Sequence, residues 1–248
     1  MEFARQLAPM ATSLVLVARR TERLKALKLE LETRHPALRV YPCSMDIGNE
    51  SARTAFTAWL TEHNIVPDLL INNAGLGDHG DFANSDWARV REMLNVNISA
   101  LTHLTFLLLP ALRRSPRATI INVSSVASFF PIPNLAVYSA SKAYVTSFSE
   151  ALAMELAPYG IAVTALCPGP VPTEFGSVAR RSGYNSQYET PPAFVVSPEK
   201  AVSTGLTAAA QGRERVVPGT LLSVAIATAM VLPFALIRGI LRQTVNRL

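Results

Sequence analysis

Residues 118–125 read ATIINVSS, a short apolar run that ends in two serines. Residues 136–160, AVYSASKAYVTSFSEALAMELAPYG, follow with a helical pattern, and residues 161–169, IAVTALCPG, form a second apolar run. Strands that are apolar on both faces are typical of a parallel sheet covered by helices on each side. This segment therefore predicts one strand–helix–strand unit of an α/β fold.

The same alternation extends along most of the chain. Apolar runs at 13–18, 37–46 and 68–75 alternate with helical patterns, and a long helical pattern runs from 85 to 115. We therefore expect a doubly wound parallel sheet in a three-layer α/β/α arrangement, built as a single domain over residues 1–248.

A loop-like composition marks residues 176–198, which are predicted to form a substrate lid. Ser197 and Pro198 then have the residue types of a helix N-cap and first turn.

The composition fits a globular protein and argues against nucleic-acid binding. Hydrophobic residues make up 49% and charged residues 17% of the 248 residues, and the formal net charge is +5. No basic block is interleaved with aromatic residues. Cys43 and Cys167 lie in apolar runs without metal-ligand spacing, so we expect buried free thiols and no metal site. The start of the chain does not read as a signal peptide, which favours the cytoplasm.

Tyr138 and Lys142 stand four residues apart in a helical pattern, so both project from one helix face. A phenol, with a pKa of about 10, exchanges protons poorly at neutral pH, and a nearby ammonium stabilises the phenolate. The pair is predicted to act as a general acid/base, with the pKa of Tyr138 lowered by Lys142. Ser125 follows an apolar strand, at the sheet edge where open α/β sheets bind ligands.

Five motifs occur along the chain: NNAG at 72–75, NVN at 95–97, SS at 124–125, YSASK at 138–142 and PGPVPT at 168–173. In identity, order and spacing they resemble the short-chain dehydrogenase/reductase family over nearly the whole length. The resemblance implies a Rossmann-type fold that binds a nicotinamide dinucleotide and transfers hydride between its ring and a carbonyl or alcohol.

The resemblance also implies roles for four residues. Tyr138 matches the family's acid/base, and Ser125 matches the hydroxyl that polarises the carbonyl. Lys142 matches the residue that tunes the tyrosine and binds the ribose. Asn97 matches the asparagine that supports a proton-relay water.

Arg19 and Arg20 follow the apolar run at 13–18, where an NAD-selective protein often carries an acid for the ribose hydroxyl. A guanidinium suits a ribose 2′-phosphate instead, which favours NADP over NAD. The alternative is a solvated basic pair that precedes a charged helix.

The remaining cofactor contacts rest on the resemblance. Asp46 matches the residue that hydrogen-bonds adenine. The turn beside the adenosine ribose corresponds to Asn73, Ala74 and Gly75, and the loop that holds the nicotinamide carboxamide to Pro168, Gly169 and Thr173.

The family's first strand and its glycine-rich turn, TGxxxGIG, do not precede the helical pattern EFARQLA at residues 2–8. That turn receives the pyrophosphate at a helix N-terminus. We expect a gap in the sheet between the strands at 13–18 and 68–71, and no other glycine cluster that replaces the turn. The preferred explanation is a true start upstream of Met1, and without that segment cofactor binding is expected to be weak.

The segment 216–237 contains no charged residue and is followed by Arg238, Arg242 and Arg247. Two interpretations of the tail, residues 220–248, stay open. It is either an interfacial membrane anchor or, after a last strand around 215–219, a helix packed on the domain or on a subunit partner.

Together these patterns predict an NADP-dependent oxidoreductase that acts on a small-molecule carbonyl or alcohol, with a hydrophobic or lipid-like substrate. A homodimer or homotetramer is expected, and the inner face of a membrane is a further candidate location. Two other classes remain open: a non-catalytic or cofactor-defective relative, and a membrane-surface or assembly protein.

Overall fold

The computed structural model describes residues 1–181, 191–233, 236 and 239. The chain divides into two compact units, Met1–Ile65 (unit 1) and Val66–Leu248 (unit 2). The single domain expected over residues 1–248 stays a prediction.

Unit 1 alternates helices and strands as the sequence predicts. Its elements are α1 (Glu2–Leu7), β1 (Ser13–Ala18), α2 (Thr21–Arg34), β2 (Arg39–Ser44) and α3 (Glu50–Glu62). β1 and β2 pair in parallel from Ser13↔Arg39 to Ala18↔Ser44. The small core joins α1, α2 and β2 through Ala4, Ala8, Leu27, Leu31, Leu38 and Val40.

Unit 2 contains the remaining elements. They are β3 (Leu69–Asn72), α4 (Trp87–Leu94), α5 (Leu101–Leu112), β4 (Thr119–Val123), α6 (Ala136–Leu156), β5 (Ala162–Leu166), α7 (Glu174–Ala179), α8 (Pro198–Ala210), β6 (Arg215–Val216) and α9 (Thr220–Val231). Four parallel strands form one sheet in the order β3-β4-β5-β6. Their carboxyl ends meet at one sheet edge, where Ser125 and the PGPVPT segment follow β4 and β5.

The parallel strands and intervening helices confirm the predicted α/β fold class. Among the described residues, β1 pairs with β2 and β3 pairs with β4, so the strands form a two-stranded and a four-stranded sheet. This separation agrees with the expected gap between the strands at 13–18 and 68–71.

A π-helical turn, Asn95–Ala100, joins α4 and α5 into a continuous helix over Trp87–Leu112. Among the described residues this helix is long and apolar enough to cross a membrane by length and composition alone. The core helix of a soluble protein passes the same test, and 44% of the most apolar stretch is buried in the fold.

The range 176–198, predicted to form a substrate lid, contains short helical pieces. Residues 176–179 belong to α7, and Pro192–Phe194 form a 3₁₀ turn. The helix start at Ser197 is confirmed, because its hydroxyl accepts a hydrogen bond from the Lys200 N–H. Residues 182–190 lie outside the described part of the chain, so the lid over the whole range stays a prediction.

The predicted last strand, β6, precedes the tail, which begins with the helix α9. Leu222 is buried, whereas Leu221, Val224 and Met230 are exposed. Arg238, Arg242 and Arg247, which follow the apolar segment of the possible membrane anchor, lie outside the described residues.

Candidate active site

The site is built on α6, whose buried face combines apolar and polar side chains. Tyr138 and Lys142 are 9% and 4% exposed, although both carry polar groups. The helix packs against β4 and β5, with Val145 and Ser149 continuing the same buried stripe. The four-residue spacing therefore places the phenol and the ammonium at the carboxyl edge of the sheet, as predicted.

Ser125 lies directly after β4 and caps a 3₁₀ turn, where its Oγ accepts a hydrogen bond from the Ala127 N–H at 3.1 Å. Burial raises the pKa of Tyr138, and a side-chain hydrogen bond with Ser125 opposes this rise. The predicted lowering of the pKa of Tyr138 is therefore wrong for this structure, because removal of the phenol from water is the larger effect. The raised pKa keeps Tyr138 protonated at neutral pH.

Lys142 directs its ammonium at the sheet edge. Its Nζ donates a hydrogen bond to the Val123 carbonyl at 2.8 Å and lies 5.9 Å from the Tyr138 ring centroid. Burial lowers its pKa to about 8, while the nearby Cys167 opposes the shift. Cys167 is a buried free thiol as predicted, whereas Cys43 is only partly buried.

Asn97 lies in the π-helical turn and is fully paired. Its Oδ1 accepts from the Leu76 N–H at 2.8 Å, and its Nδ2 donates to the Leu76 carbonyl at 2.9 Å and to Ser141 Oγ at 3.0 Å. Ser141 Oγ in turn donates to the Tyr138 carbonyl at 2.7 Å. Asn97 thus connects the loop after β3 to the first turns of α6.

Gly75 completes this group of predicted residues. A Cβ added at Gly75 would lie 3.3 Å from Lys142 Nζ and 3.5 Å from Asn97 Oδ1. The backbone of the NNAG turn therefore passes directly beside the ammonium, and a larger residue would crowd it. Asn73 and Ala74, the other two predicted turn residues, are exposed.

A buried polar network beneath the site was not predicted from the sequence. Asn72 Nδ2 donates to Asn122 Oδ1 at 2.8 Å and to Thr105 Oγ1 at 3.0 Å, and Asn122 Nδ2 donates to Ser149 Oγ at 2.9 Å. Ser124 Oγ donates to the Lys142 carbonyl at 2.8 Å. The available signal was an asparagine inside each of two apolar strands, since a buried amide needs partners.

Apolar side chains surround the phenol. Met93 and Ala127 form a buried cluster with Tyr138, and four partly buried residues pack against it: Leu76, Ile132, Leu135 and Val137. The ring of Phe175, from α7, lies 5.6 Å from the Tyr138 ring between centroids. No functional role for Phe175 was predicted from the sequence.

The predicted carboxamide loop follows β5. The Pro168 carbonyl accepts from the Val126 N–H at 3.0 Å, which ties this loop to the turn that Ser125 caps. Gly169 packs against α9, since an added Cβ would lie 2.4 Å from Leu222 Cδ2. Thr173 is the N-cap of α7, and its Oγ1 accepts from the Phe175 N–H at 3.3 Å.

Three predicted cofactor residues lie in unit 1, at the ends of its strands. Arg19 and Arg20 follow β1, and Asp46 follows β2; all three are exposed. Asp46 Oδ1 accepts from the Gly48 N–H at 2.9 Å. Their roles toward a cofactor stay predictions.

A glycine cluster does occur after β3, contrary to expectation: Gly75, Gly77 and Gly80 have G-x-G-x-x-G spacing. It does not replace the missing turn. A Cβ added at Gly77 would lie 2.8 Å from Phe175 Cζ, and one at Gly80 would lie 2.9 Å from Arg181 Cδ. Side chains therefore occupy the space that a pyrophosphate needs, and a short 3₁₀ turn follows instead of a helix.

The residues of unit 2 fit the ribose and nicotinamide end of a dinucleotide. Among the described residues, Val123 provides the one hydrogen-bond acceptor for the three N–H groups of the buried Lys142 ammonium. A ribose hydroxyl could accept hydrogen bonds from the other N–H groups of this ammonium. In the same part of the chain, no group of three or more His, Cys, Asp or Glu side chains is arranged to hold a metal ion.

Comparisons with known proteins agree with this geometry. The family model described as short chain dehydrogenase matches residues 1–182. Sulfoacetaldehyde reductase of Chromohalobacter salexigens is 40% identical over 179 residues, which cover 69% of this chain and 68% of that protein. A 3-ketodihydrosphingosine reductase of Bacteroides thetaiotaomicron is 34% identical over 148 residues, or 58% of this chain and 55% of that protein.

Among solved structures, a short-chain dehydrogenase from Sphingobium yanoikuyae in complex with NADPH aligns with a TM-score of 0.76. It is 27% identical, and the alignment covers 100% of this chain and 91% of that one.

The fold and the family match together define an oxidoreductase with a Rossmann-type fold. The chain belongs to the short-chain dehydrogenase family.

Proposed function

We propose that this protein reduces a hydrophobic carbonyl compound, or oxidises the matching alcohol, with NADPH preferred over NADH. One observation carries the proposal. Ser125 directly follows β4, at whose end the buried ammonium of Lys142 bonds to the Val123 carbonyl, and Tyr138 lies one turn before Lys142 on the same buried face of α6. Two hydroxyl donors and one cation at this edge suit an oxygen on which negative charge develops.

A bound nicotinamide dinucleotide would supply or accept the hydride. In the reducing direction, Ser125 and Tyr138 donate hydrogen bonds to the substrate oxygen, and Tyr138 then transfers its phenolic proton to it. The raised pKa of Tyr138 suits this step, because the phenol is the proton-carrying form. The Lys142 ammonium stabilises the phenolate that remains, and Asn97 supports the water through which the proton returns.

Each unit, taken by itself, carries residues that we propose as contacts of the dinucleotide. In unit 2 these are Lys142 for the ribose, the turn Asn73, Ala74 and Gly75, and the loop residues Pro168, Gly169 and Thr173. In unit 1 they are Asp46 for the adenine and Arg19 and Arg20 for a 2′-phosphate. NADPH in the Sphingobium yanoikuyae structure supports the cofactor class.

The proposed substrate class follows from the side chains that surround the Tyr138 phenol. Apolar side chains of the Met93–Ala127–Tyr138 cluster and Phe175 surround the phenol, so an apolar group next to the carbonyl is favoured over a charged one. By their names, the first of the reductases above acts on an aldehyde that carries a charged sulfonate and the second on a lipid ketone, so the proposal of an apolar substrate rests on the lining of the site and on the second relative.

We further propose that the protein is a homodimer or homotetramer. Apolar residues are exposed on α5 and α6: Phe106 is 71% and Met154 66% exposed, and Tyr144 stacks on Phe148 beside them. Light scattering in dilute buffer tests this proposal. Flotation with anionic lipid vesicles tests the alternative, that the exposed apolar side of α9 contacts a membrane surface.

The function is tested by following absorbance at 340 nm with NADPH or NADH and a panel of aryl and alkyl ketones and aldehydes. We expect NADPH oxidation that depends on the ketone and is about tenfold faster than with NADH. The absence of turnover, together with no change of tryptophan fluorescence on adding NADPH, would contradict the proposal.

A further inference from the structure

One part of unit 2 takes no part in the steps above, although it contacts the reacting residue. This is α7 with the following Arg180 and Arg181. The Phe175 ring meets the Tyr138 ring at an interplanar angle of 47°. Phe175 is 39% exposed and Tyr138 only 9%, so Phe175 forms the boundary between solvent and the phenol. Whatever fixes Phe175 also fixes how much space a substrate has at Tyr138.

The loop after β3 packs closely against α7. A Cβ added at Gly77 would come within 2.8 Å of Phe175 and 2.9 Å of Ala179 Cβ, and one at Gly80 within 2.9 Å of Arg181. The His79 N–H donates to the Ala179 carbonyl at 2.9 Å, and a β-bridge pairs His79 with Arg180. Two glycines are thus needed for α7 to lie this close.

Arg181 anchors the end of this segment. Its Nε and Nη2 donate to the two carboxylate oxygens of Asp78 at 2.9 and 2.5 Å, although the residues are 103 positions apart. The side chains of Arg181 and Asp78 are only 16% and 4% exposed. Arg181 also donates to the Asp81 carbonyl at 2.7 Å and to Ser85 Oγ at 2.8 Å.

The Arg181–Asp78 ion pair fixes the position of the two segments that it joins. A two-point guanidinium–carboxylate pair sets both distance and orientation, unlike a single charge contact. The Arg181 guanidinium holds the pKa of Asp78 below its usual range, with a further contribution from Arg89, whose Nε lies 3.4 Å from Asp78. Loss of Arg181 would leave the buried Asp78 carboxylate with the more distant Arg89 alone and would remove the two-point contact, which favours release of the segment.

A cavity of about 200 Å³ lies against this pair. It is lined on one side by Asp78, Gly80 and Arg181 and on the other by Met93 and Val137, which pack against Tyr138. The ion pair therefore lines the same cavity as two residues that pack around Tyr138.

We propose that Phe175 limits the size of the substrate at Tyr138, and that the Arg181–Asp78 ion pair is the positioning contact that holds Phe175 there. Arg181 acts through α7 and touches no reacting atom. The assignment rests on the proposed function for its substrate part, whereas the positioning of Phe175 over Tyr138 stands on contacts alone.

The positioning is tested without turnover, by nitration of the whole protein with tetranitromethane and mass spectrometry. The ratio of Tyr138 to Tyr144 modification is the readout, because Tyr144 is on the outer side of the same helix and is 37% exposed. We expect Phe175→Ala and Arg181→Gln each to raise this ratio at least fivefold, and Arg181→Lys, which keeps the charge, to raise it less.

A matched control is available in unit 1. Arg5 makes the same two-point contact with Glu30, at 2.8 and 2.9 Å, so Arg5→Gln reports the general effect of losing such a pair. The control should leave the ratio at the wild-type value. An unchanged ratio in Arg181→Gln, or an equal rise in Arg5→Gln, would overturn the positioning role.

The size limit is tested by the ratio of kcat/KM for benzophenone to that for acetone. Phe175→Ala should raise it at least tenfold and Arg181→Gln by a smaller factor, while Arg5→Gln leaves it unchanged. An equal change for both ketones would overturn the size limit. If the wild type reduced no carbonyl compound, the proposed function and the size limit would fail together, and the nitration ratio would still decide the positioning role.

Discussion

The two units carry their candidate functional residues in opposite environments. In unit 2, Asn97, Tyr138 and Lys142 are at least nine-tenths buried. Hydrogen bonds hold Lys142 on Val123 of β4 and Asn97 on Leu76 and Ser141. In unit 1, Arg19, Arg20 and Asp46 are exposed at the ends of strands. Burial makes polar groups costly unless they are oriented, so unit 2 shows a preorganised site, whereas the charges of unit 1 are exposed to solvent.

This difference separates two kinds of contribution. Buried, oriented groups act on charge that develops during a reaction, because they require no rearrangement at that moment. Exposed charges are screened and contribute mainly to ligand affinity and selectivity. Substitutions in unit 2 should therefore have larger effects than substitutions in unit 1.

The largest effect is expected at the end of β4, where two adjacent serines differ in role. Ser125→Ala should lower kcat/KM by about 10² to 10³, as expected when one donor to a developing oxyanion is lost. Its loss as a cap of the 3₁₀ turn should also reduce the unfolding free energy by about 0.5–1 kcal/mol. Ser124→Ala should instead reduce stability by about 1–2 kcal/mol and retain most activity, since its hydroxyl binds Lys142 and Thr146. Steady-state kinetics and urea denaturation of both variants check this, and equal losses of activity would contradict it.

The next largest effect is expected on the unfolding free energy when the buried ammonium of Lys142 is removed. The pKa of Lys142 is about 8 in the folded protein against 10.5 for an ordinary lysine. Between these values the unfolded chain binds more protons, so this residue makes the unfolding free energy rise with pH. Below pH 8 its charge costs the folded state about 3 kcal/mol.

Lys142→Met should therefore gain stability relative to wild type at pH 7 and lose about 3 kcal/mol of that gain by pH 10.5. Urea denaturation of both proteins across this range measures the difference. A difference that stays constant with pH would show that the ammonium is well solvated.

A smaller effect is expected on the unfolding free energy, where loss of a buried polar group in unit 2 should cost more than loss of an exposed one in unit 1. Asn122→Ala leaves Asn72 and Ser149 without a buried partner, which should cost about 2 kcal/mol. Asn49→Ala removes the exposed N-cap of α3 and should cost about 1 kcal/mol. Denaturation curves compare the two, and a larger loss for Asn49→Ala would reverse the comparison.

The smallest effect is expected for the arginines after β1. The double variant Arg19→Ala/Arg20→Ala should raise the KM for NADPH about tenfold without changing kcat or the KM for NADH. Lys25→Ala, which changes an exposed cation on α2, serves as the control. An equal rise of KM for both dinucleotides would assign the arginines to a part that both share rather than to a 2′-phosphate, and no rise for either would assign them to solvent.

Local features of this molecule could be predicted from the sequence. The strands are continuous apolar runs, and the four-residue spacing of Tyr138 and Lys142 sets their common helix face, so both predictions required only near neighbours. Ser125 followed from its place after a strand.

The remaining features depend on contacts between distant segments. The pKa of Tyr138 is set by burial, which its helix pattern does not reveal. Phe175 and Arg181 lie in a stretch with loop-like composition, and their partners Gly77 and Asp78 are about a hundred residues earlier. The G-x-G-x-x-G spacing was visible, but only the structure shows that side chains of α7 and Arg181 fill its space.

The central claim is that the buried phenol of Tyr138 is the group that exchanges a proton with the substrate. Its matched control is Tyr144, two residues past Lys142 on the outer side of α6, where its hydroxyl contacts Thr102 at 2.9 Å. The deciding measurement is ketone-dependent NADPH oxidation by Tyr138→Phe and Tyr144→Phe. The account predicts a loss of about a thousandfold for Tyr138→Phe and less than about threefold for Tyr144→Phe. Comparable activity in the two variants would contradict it.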